Sequence, residues 1–243
     1  MSVSVGQQEP LGVVDGATLD PPYYFPSYRS TLQRAPSMPL VAARPESAGR
    51  TGPVFGEDHV RHEDSDLTRR GAGAPIGERI IVHGRVTDSE GHPVAGQLVE
   101  LWQANAAGRY AHVVDQHDAP LDPNFTGAGR CLTSSDGSYS FTTVRPGEYP
   151  WGNHANAWRP AHLHFSFFGR TFTSRLVTQM YFPGDPLLPL DPMFTSIRDR
   201  EAAERLIGVF DLDATVESYA LGYRFDVVLG PGRGATPIEE EHS

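Results

Sequence analysis

The chain has 243 residues, 39% of them apolar and 21% charged, which suits one large domain around a single core and no fibrous or low-complexity class. Its 20 basic against 30 acidic side chains give a formal charge of −10, which argues against nucleic acid or an anionic membrane as the main partner. Every basic residue is an arginine, so Schiff-base and P-loop chemistry, both of which need a lysine amine, are excluded.

The first residues, MSVSVGQQEP, lack the basic start and apolar stretch of a secretory signal, and no later run approaches the ~20 apolar residues of a membrane span. A cytoplasmic protein is expected. Residues 1–75 are rich in Pro, Gly and Ser without helical or strand periodicity, and read as a long extended arm. Such a stretch is too long for an ordinary loop, and its aromatics (Tyr23, Tyr24, Phe25, Tyr28, Phe55) suit packing on the core or on a partner. The run GAGAPIG (71–77) has the wrong glycine spacing for a phosphate loop and reads as a turn.

From Arg79 the texture changes to short β-branched and aromatic runs: RIIVHGRVTD, QLVELWQA, GSYSFTTV, AHLHFSFF, RLVTQMYF and YRFDVVL. Turn signals such as Ser89-Glu90-Gly91 and Ser135-Asp136-Gly137 divide them. The rhythm predicts an all-β domain over 76–230, an antiparallel β-sandwich. The single cysteine, Cys131, leaves no internal disulfide and reads as a small buried filler, so any metal would be held by other donors. One short helix near the C-terminus is predicted within 196–210, opened by a Ser196 cap, with Ile197, Ala202, Leu206 and Phe210 near one face. Residues 231–243, with Glu239-Glu240-Glu241, read as an acidic flexible tail.

The chemistry centres on Arg159-Pro160-Ala161-His162-Leu163-His164-Phe165-Ser166-Phe167. Side chains two apart share a strand face, so His162 and His164 project together while Leu163, Phe165 and Phe167 point inward. Two adjacent imidazoles make half of a metal site, although His-x-His alone is weak evidence and reads first as a polar strand face. Gly108-Arg109-Tyr110 follows one strand and Arg145-Pro146-Gly147-Glu148-Tyr149-Pro150-Trp151 leaves another, so two phenols stand where strand ends meet loops. Either tyrosine by itself is an ordinary loop aromatic. The remaining histidines (His59, His62, His83, His92, His112, His117, His154, His242) read as solvated or structural.

Taken together, Trp102-Gln103-Ala104-Asn105, Gly108-Arg109-Tyr110, Leu121-Asp122-Pro123-Asn124-Phe125, Gly129-Arg130-Cys131, Pro146-Gly147 with Tyr149-Pro150-Trp151, and Arg159-Pro160-Ala161-His162-Leu163-His164 resemble the intradiol ring-cleavage dioxygenases. The match runs over roughly residues 20 to 230 and follows the iron-carrying β subunits of the protocatechuate-cleaving branch. The resemblance implies Tyr110, Tyr149, His162 and His164 as protein ligands of one non-haem Fe(III), a hydroxide completing the site, and O2-dependent cleavage of a catechol to a cis,cis-muconate. Two phenolates are hard anionic donors that favour Fe(III) over Fe(II). By family position Tyr149 departs on substrate binding and Tyr110 stays. Arg159 is expected beside the ring as negative charge moves onto carbon, Gln179 near the oxygen site, and Tyr28 and Trp151 in the pocket wall. A companion α subunit is implied as partner, contributing to substrate-carboxylate recognition.

Homodimeric catechol or hydroxyquinol 1,2-dioxygenases share the ligands but carry a helical N-terminal segment, unlike the proline-rich arm here. A transthyretin-like carrier of aromatic ligands or a zinc hydrolase would be colourless, whereas phenolate on Fe(III) absorbs visible light.

Overall fold

The computed structural model describes residues 20–34, 37, 60–153, 155–156, 158–169, 175–230 and 232–238. Most of the expected arm before residue 60 and the end of the acidic tail lie outside the described residues, as do Phe55, His59, His154 and His242. Residues 235–238, expected in the flexible tail, are instead packed: Ala235 joins the core, the Thr236 N–H donates to the Val228 carbonyl at 3.0 Å, and the Pro237 carbonyl accepts from the buried Thr178 hydroxyl at 2.9 Å. Among the described residues no helix is long and apolar enough to cross a membrane.

The first sheet is built around β1 (Arg79–Asp88), where Ile80, Val82 and Val86 alternate inward with half-buried or exposed neighbours. One edge of β1 pairs antiparallel with β4 (Ser138–Val144). Its other edge runs parallel to β10 (Ala220–Arg224) and then to β11 (Val227–Leu229), with β9 (Val209–Val216) antiparallel beyond β10. The second sheet has the order β3 (Ala128–Leu132), β2 (Leu98–Trp102), β7 (His162–Phe168), β8 (Arg175–Tyr181), and is antiparallel throughout. A separate two-residue pair joins β5 (Tyr149–Pro150) to β6 (Trp158–Arg159).

The sandwich is thus mixed, where an antiparallel one was expected. The run YRFDVVL, which reads as one strand, divides at Phe225-Asp226. There the Phe225 N–H donates to the His83 carbonyl at 2.8 Å, the buried Tyr139 hydroxyl donates to the Phe225 carbonyl at 2.6 Å, and Asp226 accepts from the Arg85 N–H at 3.0 Å. The two short strands on either side of the break keep one register along β1, from Ile80 opposite Leu221 to Asp88 opposite Leu229.

The predicted helix over 196–210 is also corrected. Ser196 ends α1 (Pro192–Ser196), which Asp191 caps, and Asp199 caps the following α2 (Arg200–Glu204) by accepting from the Ala202 N–H. Glycine at 208 then gives way to Val209-Phe210, whose β-branched and aromatic side chains suit the strand in which Phe210 pairs with Tyr223. Ala202 and Leu206 are fully buried as the apolar spacing suggested. Residues 62–69, sequence-read as arm, form two 3-10 turns that place Leu67 in the core, while the Asp64 carboxylate accepts from Arg130 and Arg70, each at 3.0 Å.

Between the sheets lies an aromatic core. Phe165 packs within 6.2 Å, centroid to centroid, of Tyr139, Phe141, Phe167 and Phe225, which come from β4, β7 and the β10–β11 break. Because it touches both layers and is fully buried, Phe165→Ala should cost about 3–5 kcal/mol. Urea unfolding of the metal-free chain measures this, and a loss under about 1 kcal/mol would show that the layers close without it.

Candidate metal centre

Strand β7 serves both faces of its sheet. Leu163, Phe165 and Phe167 fill the core, and His162 and His164 project from the opposite face near one end. Register sets their neighbours: His162 lies opposite Tyr181, and His164 between Gln179 of β8 and Trp102 of β2. The Trp102 ring stacks on the His164 imidazole at 5.1 Å and 5°, which fixes the ring plane. His162 Nδ1 lies 2.7 Å from the Pro160 carbonyl, so that nitrogen carries the proton and Nε2 presents its lone pair. Burial, then the nearby Arg159 and His164 charges, hold the His162 imidazole well below the usual histidine range and keep it neutral.

The two phenols arrive on loops that cross in contact. Tyr110 follows a turn in which the Asn105 side chain accepts from the Ala107 and Arg109 N–H groups, both at 2.9 Å, and Asp115 accepts from the Tyr110 N–H at 2.7 Å. Gly108 has φ +75°, and a Cβ there would collide with the Glu148 carbonyl. On the other loop the Gly147 N–H donates to the Asn105 carbonyl at 3.0 Å, and a Cβ at Gly147 would sit 2.6 Å from the Ala106 carbonyl oxygen. Two glycines therefore let the loop bearing Tyr110 rest directly on the loop bearing Tyr149.

The outcome is a row of four donor atoms. Tyr110 Oη lies 2.8 Å from His164 Nε2, the two Nε2 atoms are 3.1 Å apart, and Tyr149 Oη is 3.3 Å from His162 Nε2. Donors about 3 Å apart are what a first-row ion with bonds of about 2.0–2.2 Å to nitrogen and oxygen requires of neighbouring ligands. Two imidazole nitrogens and two phenol oxygens that become anionic on deprotonation fit Fe(III), and no thiolate competes. Burial pushes the Cys131 thiol up to about 12, which removes it as a nucleophile or ligand.

Behind His162 sits Arg159, fully buried on β6. Its Nη1 lies 3.4 Å from His162 Nε2, while Nη2 reaches Gln179 Oε1 at 2.7 Å, Asp191 Oδ2 at 2.8 Å and the Tyr181 hydroxyl at 3.1 Å. Gln179 thus engages the guanidinium. Trp151 lies 5.2 Å from the guanidinium carbon and 4.9 Å from the Tyr28 ring. The Tyr28 segment is clipped to the loop after Trp151, since Asn153 accepts from the Arg29 and Ser30 N–H groups at 2.9 and 2.7 Å. The predicted residues Tyr110, Tyr149, His162, His164, Arg159, Gln179, Trp151 and Tyr28 are therefore drawn into one connected neighbourhood.

Of the other described histidines, His83 pairs with Asp211 at 2.9 Å, His92 with Asp88 at 3.4 Å, and His117 meets the edge of Trp158. Sequence reading did not single out Tyr181, Asp185 or Asp191. Asp191-Pro192 is legible as a helix start, but nothing in the sequence joins it to an arginine 32 residues away.

A sequence model of a family described as Dioxygenase matches residues 50–231. The protocatechuate 3,4-dioxygenase beta chain of Burkholderia cepacia is 57% identical over 221 residues, covering 90% of this chain and 93% of that one. The chain belongs to the intradiol dioxygenases. A more distant intradiol relative, hydroxyquinol 1,2-dioxygenase of Rhizobium sp. (strain MTP-10005), is 34% identical over 62% of this chain, which spans about half (54%) of that protein's length. Among solved structures, the dioxygenase domain of a carbohydrate-binding fusion from Streptomyces sp. SirexAA-E superposes with TM-score 0.50 at 26% identity, over 75% of this chain and 96% of that one. The 3-chlorocatechol 1,2-dioxygenase of Rhodococcus opacus 1CP shares the fold at TM-score 0.53 and 24% identity, over 74% and 71% of the two chains.

Proposed function

We propose that this chain is the iron-carrying β subunit of a protocatechuate 3,4-dioxygenase. It cleaves 3,4-dihydroxybenzoate with O2 between the hydroxyl-bearing carbons, giving 3-carboxy-cis,cis-muconate in the catabolism of aromatic compounds. The observation that carries the reading is the row of two imidazole nitrogens and two phenol oxygens, each within 3.3 Å of the next, in a chain 57% identical to such a subunit. Tyr110, Tyr149, His162 and His164 would hold the ion.

Bound Fe(III) supplies the Lewis acidity and electron acceptance that oxidation of a catechol by O2 requires. The chain's own residues do the rest. Tyr149 Oη, on the two-residue strand β5, takes one catechol proton as it leaves its place, and Tyr110, held by the Asn105 turn and Asp115, stays. Trp102 and Pro160 fix the two imidazole planes. Arg159 presents a permanent cation to a ring gaining negative charge, in a site where burial keeps water from screening it. Trp151 and Tyr28 form the wall through which the ring enters.

The companion α chain supplies part of the contact to the ring carboxylate, and the assembly works in the cytoplasm. The test is oxygen uptake by the chain co-expressed with a candidate α chain. Protocatechuate should turn over at least about tenfold faster than catechol, because a site built to pair a carboxylate rejects a ring lacking it. Equal turnover of both by the isolated chain would assign it to the homodimeric catechol-cleaving relatives.

A further inference from the structure

We propose that Asp191 is a positioning residue that fixes the guanidinium of Arg159 against the metal-site histidine, an inference that rests on the ring-cleavage reading above. Arg159 and Asp191 form an ion pair at 2.8 Å in which both side chains are fully buried. A cation so placed requires a countercharge. Gln179 and Tyr181 offer dipoles to the same nitrogen, Nη2, and among these three anchors Asp191 brings the negative charge. All three anchors gather on Nη2. The other terminal nitrogen, Nη1, is thereby turned to His162 Nε2 at 3.4 Å. The guanidinium is planar and rigid, so pinning one end orients the other.

Asp191 is itself held still. Pro192 follows it and restricts its backbone to the extended region it occupies, φ −75° and ψ 117°. Its Oδ1 accepts from the Met193 N–H at 3.3 Å, its Oδ2 accepts from the Tyr181 hydroxyl at 3.2 Å, and its carbonyl accepts from the Thr195 N–H at 3.0 Å. Six residues earlier in the same connection, Asp185 Oδ2 accepts from the Ala161 N–H at 3.0 Å while Oδ1 takes the Leu187 N–H at 2.9 Å. The segment after β8 therefore grips Arg159-Pro160-Ala161-His162 twice, by backbone through Asp185 and by side chain through Asp191.

The experiment uses the iron-loaded full chain with its companion chain, and four forms: wild type, Asp191→Asn, Arg159→Leu and the double variant. Wild-type turnover of protocatechuate is the control that decides the functional reading on its own. Asp191→Asn keeps the volume and an acceptor for the Met193 N–H. It should lower kcat by about 10- to 100-fold with KM changed less than about threefold, leaving iron content and the visible band intact. In the Arg159→Leu background the same change should cost nothing further in kcat, because Asp191 acts through Arg159. A second readout needs no activity: in metal-free protein Arg159→Leu strands a buried carboxylate and lowers Tm, and adding Asp191→Asn should raise Tm again. Independent losses of kcat in the double variant, or a further fall in Tm, would overturn the proposal. Should Asp191→Asn alone fail to fold, the double variant, with neither charge stranded, must still fold and match the Arg159→Leu rate; failure there overturns it as well.

Discussion

His162→Ala and His164→Ala each yield a colourless protein with little iron. Each removes one of two imidazole nitrogens from a row of four donors: His164, stacked on Trp102, and His162, beside Arg159 and Tyr181. Loss of a supporting contact to a metal ligand already costs ~10- to 100-fold in affinity, so loss of a ligand itself should cost at least that. Iron per chain and absorbance of the visible phenolate-to-iron band measure it, with His117→Ala as a control that keeps both. Wild-type iron in His164→Ala would remove β7 from the metal site.

Gly108→Ala is the smallest change with a comparable effect. The residue sits at φ +75°, and its Cβ would meet the Glu148 carbonyl, a backbone atom that cannot step aside without moving Tyr149. Left-handed backbone alone costs a non-glycine residue about 1–2 kcal/mol, and the collision adds to it. Both phenols should shift, because the strained loop carries Tyr110 and the loop it strikes carries Tyr149. The expected result is a loss of at least about 2 kcal/mol in denaturant unfolding together with a weaker, displaced visible band. A variant with wild-type colour and stability would show that the loop crossing does not set the tyrosines. Alanine at Gly91, whose Cβ would meet nothing within 4 Å despite φ +85°, separates the backbone cost from the collision.

The two predictions bear on different parts of what was legible. Placing His162 and His164 on one strand face needed only the period of two and the apolar residues between them, so that half of the site can be read directly. The tyrosines could be located at loop starts but not joined, because their meeting depends on glycines whose role appears only when two loops cross. Asp191 was invisible for a related reason: a capping aspartate before proline looks complete in sequence, and its second use lies across the fold. The strand runs were plain, yet their directions were not. Nothing local distinguishes a parallel from an antiparallel partner, and the Phe225-Asp226 break leaves apolar residues on both sides. The helix was misplaced because Phe210 extends the apolar spacing past Gly208 while belonging to a strand.

The mixed sheet also sets an order of assembly. β1 meets its parallel partners β10 and β11 only near the end of the described chain, whereas all four donors lie between residues 110 and 164. A chain emerging from the ribosome therefore carries every donor before the strands that complete its first sheet exist. Until Phe225 arrives, Phe165 lacks one of its aromatic neighbours and that side of the layer stays open to solvent. Such late, long-range closure is slow and leaves apolar surface exposed during synthesis. Removal of the last strands would thus spare the donors in sequence while denying them a finished scaffold.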